Sequence, residues 1–189
     1  MKANKITWLL ITIVVILVLL EEGVLVHKRQ LQPTASNCPI KIEEKIVRGN
    51  SMDPFIKNGQ TITVLKGYYN CHKVKRNDII LLHYAGNKNP LIKIVKAIPG
   101  DNWHLENSNG CYYIIVNGNI AKNSEGKDYC LSEKKAKMLQ LYASDYPIIP
   151  QNAYLVLGNE VEGSMDSTRF GLLGKDNIIG KVKIQLKIE

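Results

Sequence analysis

The sequence is poor in metal-ligand and aromatic side chains, with four cysteines, four histidines, two tryptophans and two phenylalanines among 189 residues. No two cysteines form a Cys-x-x-Cys pair and the histidines do not gather around them. A tetrahedral zinc site therefore finds no ligand set, and no metal or other cofactor is expected. There is no internal repeat and no low-complexity tract. There is also no long basic run and no aromatic-basic stripe: 25 basic against 17 acidic residues give a net charge of +8, spread from Lys28 to Lys187. Nucleic acid is thus not an expected partner. A diffuse basic surface fits the anionic headgroups of a lipid bilayer instead.

Long hydrophobic runs are scarce too. Residues 6–20 are apolar apart from Thr7, Trp8 and Thr12, with Lys2 and Lys5 before them and Glu21 and Glu22 after. A helix needs about 20 residues to cross the hydrocarbon core. Extension through Gly23, Val24, Leu25 and Val26 gives that length if the glutamates lie at the far interface. The small-x-small site of a cleavable leader is missing, so an uncleaved anchor is expected. Lys2 and Lys5 hold its N-terminus in the cytoplasm, and everything after His27 lies outside the plasma membrane. The expected organisation is an anchor over 1–27, a proline-containing tether over 28–39 and one extracytoplasmic domain over 40–189, large enough to bury a single core. Cys38, Cys71, Cys111 and Cys130 all fall outside, where two disulfides can persist, with the pairing left open.

Within the domain, β-type segments recur at 45–48, 61–65, 78–84, 91–98, 112–116, 153–157 and 178–188, separated by Asn, Gly and Pro. Asn117-Gly118 after Ile114-Ile115-Val116 predicts a hairpin. Residues 132–143 carry Leu, Glu, Lys, Ala, Met and Gln and predict one short helix. The fold class is mostly β, a folded or barrel-like antiparallel assembly.

Two segments carry chemistry. In Val47-Arg48-Gly49-Asn50-Ser51-Met52-Asp53-Pro54 a strand runs into a Gly-containing turn that exposes a serine hydroxyl and leaves nearby backbone N–H groups available to an oxyanion. Gly-Asn-Ser is also ordinary turn composition. A serine at neutral pH needs a base, and no His-Asp pair presents itself. His27, His72 and His104 adjoin charged or polar residues, and His83 lies near a strand end. In Leu91-Ile92-Lys93-Ile94-Val95, period-two counting puts Lys93 on an apolar face with Leu91 and Val95, while Ile92 and Ile94 occupy the other. Burial there lowers a lysine from its usual value of about 10.4 toward the range of a working base. The competing arrangement is a strand lysine that snorkels to water.

Four blocks in order supply the context. Gly49-Asn50-Ser51-Met52-Asp53-Pro54 resembles the Ser-Met-x-Pro block of type I signal peptidases. Arg76-Asn77-Asp78-Ile79-Ile80 resembles their Arg-Gly-Asp-Ile-Val strand, with Asn77 in place of glycine. Lys93-Ile94-Val95-Lys96-Ala97-Ile98-Pro99-Gly100-Asp101 resembles the block running from the general base to Pro-Gly-Asp. Residues 158–171 resemble the Gly-Asp-Asn…Ser-x-Asp-Ser-Arg segment: Ser164, Asp166 and Ser167 match, Asn159 and Glu160 replace Asp-Asn, and Thr168 stands where arginine is usual, with Arg169 one place later.

The resemblance implies the signal-peptidase fold behind one N-terminal transmembrane helix, and cleavage of signal peptides from exported precursor proteins. Ser51 would be the nucleophile and Lys93 the general base. Ser164 would hydrogen-bond the Lys93 amine, Asp166 and Arg169 would support the site, and the Ser51 backbone N–H would form part of the oxyanion hole. Gly49 stands where some members have a second oxyanion hydroxyl. Met52 and Phe55 would face the bilayer. A dedicated pilin-processing peptidase of conjugation systems shares the fold and dyad. Self-cleaving repressors also share the dyad, but need a DNA-binding domain and a cytoplasmic location. The departures at Asn77, Asn159, Glu160 and Thr168 motivate another reading, a catalytically silent membrane-tethered binding module.

Overall fold

The computed structural model describes residues 38–84 and 89–184. The expected anchor, most of the tether and the last residues of the 178–188 segment lie outside the described residues. Among those described, no helix is long and apolar enough to cross a membrane.

The strands are β1 (Lys41–Ile46), β2 (Thr61–Lys66), β3 (Ile79–Leu82), β4 (Leu91–Ala97), β5 (Trp103–Ser108), β6 (Cys111–Val116), β7 (Asn119–Ile120), β8 (Cys130–Leu131), β9 (Ala153–Leu157), β10 (Leu173–Gly174) and β11 (Ile178–Ile184). Among the described residues two α-helices join them, α1 (Glu133–Asp145) and the single turn α2 (Ser167–Phe170). The larger sheet runs β1-β2-β11-β3-β4-β9-β10, and the smaller one joins β5, β7 and β8 to β6. Every pairing is antiparallel, in line with the mostly β class expected.

The larger sheet is covered on both faces in its middle. Alternate residues of β3 and β4 point to opposite sides: Leu81 and Ile94 pack with Met52, Ile62 and Val182, while Ile80, Leu82 and Val95 pack with Tyr69, Tyr154 and Val156. This is why these strands read as nearly continuous apolar runs, and why a polar side chain within β4 has no easy route to water. A third cluster lies between the smaller sheet and α1, where Trp103, Ile114 and Leu131 meet Ala136 and Leu139.

The Asn-Gly hairpin forms as expected: Val116 pairs with Asn119, and Asn117 and Gly118 take φ of 49° and 77°, the two positive values of a type I′ turn. The helix forms one residue later than expected and extends to Asp145. The first strand starts at Lys41, and β5 was not expected at all. Disulfides link Cys38 to Cys71 and Cys111 to Cys130. The first ties the start of the domain to the helical turn Tyr68–Asn70, and the second fastens β6 to β8.

Candidate active site

The chain leaves β1 at Val47, whose N–H donates to the Gln60 carbonyl at 2.9 Å, so the ladder persists one residue beyond the strand. Gly49 then takes φ 88°, a left-handed conformation open to glycine at little cost, and reverses the chain. Its N–H donates to Asn58 Oδ1 at 3.1 Å. Ser51 follows, half-buried, and Met52 drops into the core at 2% exposure. That placement corrects the expectation that Met52 faces the bilayer: its thioether fills the cluster with Val47 and Ile56, and only Phe55 is exposed. The Ser51 N–H makes no hydrogen bond to another described residue.

Lys93 comes from the middle of β4, opposite Ile80 of β3. It is 2% exposed, and its Nζ lies 2.8 Å from Ser51 Oγ and 2.8 Å from the Ile92 carbonyl oxygen. The side chain does not snorkel. Burial lowers its pKa to about 8, with the Asp166 carboxylate pulling in the opposite direction. A cleft of about 720 Å³ opens beside the pair, lined by Val47, Gly49, Ser51, Leu91, Ile92 and Lys93 among others.

The 158–171 segment closes the site from below. At Gly158 an added Cβ would lie 2.6 Å from Ser164 Oγ and 2.7 Å from the Ser51 carbonyl oxygen, so only glycine lets this strand end approach the serine turn. Asp166 is fully buried. It accepts from the Gly158 N–H at 3.0 Å, the Thr168 N–H at 3.0 Å and the Thr168 hydroxyl at 2.6 Å. Arg169 does not reach this carboxylate; its Nε donates to the Ser164 carbonyl at 3.2 Å. The expected support from Arg169 therefore acts on the Ser164 backbone, because the one-residue offset points the guanidinium away from Asp166. Ser164 Oγ is buried without a hydrogen-bond partner among the described residues. The expected contact with the Lys93 amine is thus not made, since Lys93 directs its Nζ at Ser51 and Ile92.

Residues that looked like departures have defined places. Asn77 takes φ 65°, a conformation that asparagine tolerates better than most side chains, and its Oδ1 accepts from Lys96 at 3.0 Å. Asn159 is buried and spans two loops, its Nδ2 donating to the Asp53 carbonyl at 2.7 Å and its Oδ1 accepting the Ser124 N–H at 2.8 Å. The Glu160 N–H donates to the Ser51 carbonyl at 3.2 Å. Sequence reasoning missed Asn159 as a strut and missed Lys135 altogether. The latter is a buried lysine of α1 whose Nζ donates to the Val161 carbonyl at 2.9 Å. Further off, Arg76 pairs with Asp101, which also accepts from the Ile98 N–H and Asn117. Burial works against the Asp101 carboxylate, yet these donors hold it below the usual range.

The chain is similar to several known proteins. Residues 4–186 match the family described as signal peptidase, peptidase S26. Signal peptidase IB of Staphylococcus aureus is 31% identical over 147 residues, which is 74% of each chain. Signal peptidase I P of Bacillus subtilis subsp. natto is 31% identical over 140 residues, 73% of each. A crystal structure of a signal peptidase I from Enterococcus faecalis V583 aligns with a TM-score of 0.41 at 22% identity, covering 59% of this chain and 98% of that one. With its ordered blocks spread across a match that takes in nearly the whole sequence, the chain belongs to the peptidase S26 family of signal peptidases.

Proposed function

We propose that this peptidase is a membrane-bound serine endopeptidase that removes N-terminal signal peptides from exported precursor proteins, with Ser51 as nucleophile and Lys93 as general base. The observation that carries the reading is the 2.8 Å contact between Ser51 Oγ and the Nζ of a lysine buried within a sheet. Burial leaves part of the Lys93 population neutral near pH 8, and a neutral amine can take the serine proton.

In this mechanism Ser51 Oγ attacks the scissile carbonyl as its proton passes to Lys93. The resulting oxyanion accepts from the Ser51 N–H. Collapse of the tetrahedral intermediate breaks the C–N bond, and the Lys93 ammonium returns the proton to the leaving amine. Water then hydrolyses the acyl-serine, with the neutral Lys93 again accepting the proton. The cleft between the end of β1 and the start of β4 suits an extended segment, with backbone pairing at its walls. Asp166 supports the pair from behind, its carboxylate acting against the loss of the Lys93 proton. The anchor over 1–27 would hold the domain at the outer face of the membrane, and the exposed Phe55, Ile42 and Ile46 offer apolar contact there.

The silent-module reading is not favoured: of the four departures that motivate it, Asn77, Asn159 and Thr168 are accommodated by specific side-chain bonds. The test is to incubate the full chain in detergent with a secretory precursor, beside Ser51→Ala and Lys93→Ala. Both variants should be inactive. Processing that persists in either one removes the assignment.

A further inference from the structure

Lys135 is a buried cation with no place in the mechanism above. It stands in the first turn of α1, where the helix dipole disfavours positive charge. It is 8% exposed, while Lys134 and Lys137 on the same helix face water. Among the described residues no carboxylate lies within salt-bridge distance of its Nζ. In place of water its Nζ has oxygen acceptors. They are the Val161 carbonyl at 2.9 Å, the Ser164 carbonyl at 3.5 Å and Thr168 Oγ1 at 3.4 Å. The Thr168 hydroxyl has one proton, and it goes to Asp166 Oδ1 at 2.6 Å. The ammonium is therefore two hydrogen bonds from the carboxylate that faces Lys93.

We propose that Lys135 is a positioning residue for the Ser51–Lys93 pair: through Thr168 it offsets the charge of Asp166, and through the Val161 and Ser164 carbonyls it fixes the turn that carries Ser164. The inference rests on the dyad reading. The charged and titratable groups around Asp166 are Lys93 of β4, Lys135 of α1 and Tyr129 just before β8; Glu160 faces Tyr129, and Arg169 of α2 is engaged on the Ser164 carbonyl. Asp166 keeps its other donors, the Gly158 and Thr168 N–H groups, when Lys135 is removed. Lys93 is then the principal cation opposite it and holds its proton more tightly.

The experiment measures kcat/KM against pH for cleavage of a precursor peptide by the full chain in detergent. Lys135→Met should move the acid limb upward by roughly 0.5 pH unit or more, and Lys135→Arg, which keeps the charge, should restore it. Lys137→Met, at an exposed site paired with Glu133, should leave the limb in place. A purely structural role would lower the amplitude without moving the limb, so an unmoved or downward-shifted limb in folded Lys135→Met overturns the proposal. If that variant does not fold, Thr168→Val removes the hydroxyl link and carries the same prediction, with an unmoved limb again decisive against it. Full activity in Ser51→Ala would remove the dyad and this role together. An inactive Ser51→Ala with an unmoved limb removes the Lys135 role alone.

Discussion

Lys93 and Lys96 stand three positions apart on β4, at 2% and 7% exposure, and burial lowers both to about 8. Their surroundings differ in one respect that matters. Lys93 meets a hydroxyl that can give up a proton. Lys96 sits where the register with β9 shifts between Val95 and Ala97, and a bulge turns its side chain toward the loops. There its Nζ donates to Asn77 Oδ1 at 3.0 Å and to the Lys122 carbonyl at 2.7 Å, with the Tyr129 ring 5.5 Å away. Those oxygens only accept. Desolvation makes an amine available as a base, and the partner decides whether it becomes one.

The largest expected effect separates the two lysines by activity. Lys93→Ala should lower kcat/KM for a precursor peptide by about 10⁴-fold, whereas Lys96→Met should stay within about 10-fold of wild type. Comparable losses in both would break the comparison. The next separates them by stability. A buried ammonium is costly, so Lys93→Met should gain about 2–3 kcal/mol at pH 7 in denaturant titrations while losing activity. The sign with pH follows from Lys93 being lowered when folded: the unfolded chain binds the extra proton between about 8 and 10.5, so wild-type stability rises across that window. The gap to Lys93→Met should close there, and a gap that widens contradicts the burial account.

The smallest effect falls on Lys96. Asn77→Ala removes an acceptor of its Nζ and strains a residue at φ 65°, with an expected loss of about 1–2 kcal/mol in stability and unchanged kcat. Asn77→Gly relieves the strain and should lose less. Equal losses in the two variants would show that the backbone conformation is not what asparagine supplies.

Much of the fold was legible where one rule acted alone. The Asn-Gly turn and the apolar runs of β3 and β4 follow from local chemistry, and β9 was placed at 153–157 as observed. β5 was not legible, because only Trp103 and Leu105 pack on the core, while Asn107 further along their face and His104, Glu106 and Ser108 on the other are exposed and polar. The cysteine pairing needed the tertiary fold, since each bridge joins segments that meet only after the sheets form. For the site, period-two counting placed Lys93 between apolar neighbours, but not the direction of its Nζ. Lys135 was invisible for a related reason: one lysine in Glu133-Lys134-Lys135-Ala136-Lys137 looks like the next until the helix face is set.

The most direct test of the central claim is the pH dependence of kcat/KM for the full chain, measured in wild type and Lys96→Met. The account predicts an acid limb with a midpoint near 8 in both, because Lys93 must lose its proton before Ser51 can react. A flat profile, or a limb that vanishes with Lys96→Met, would contradict it.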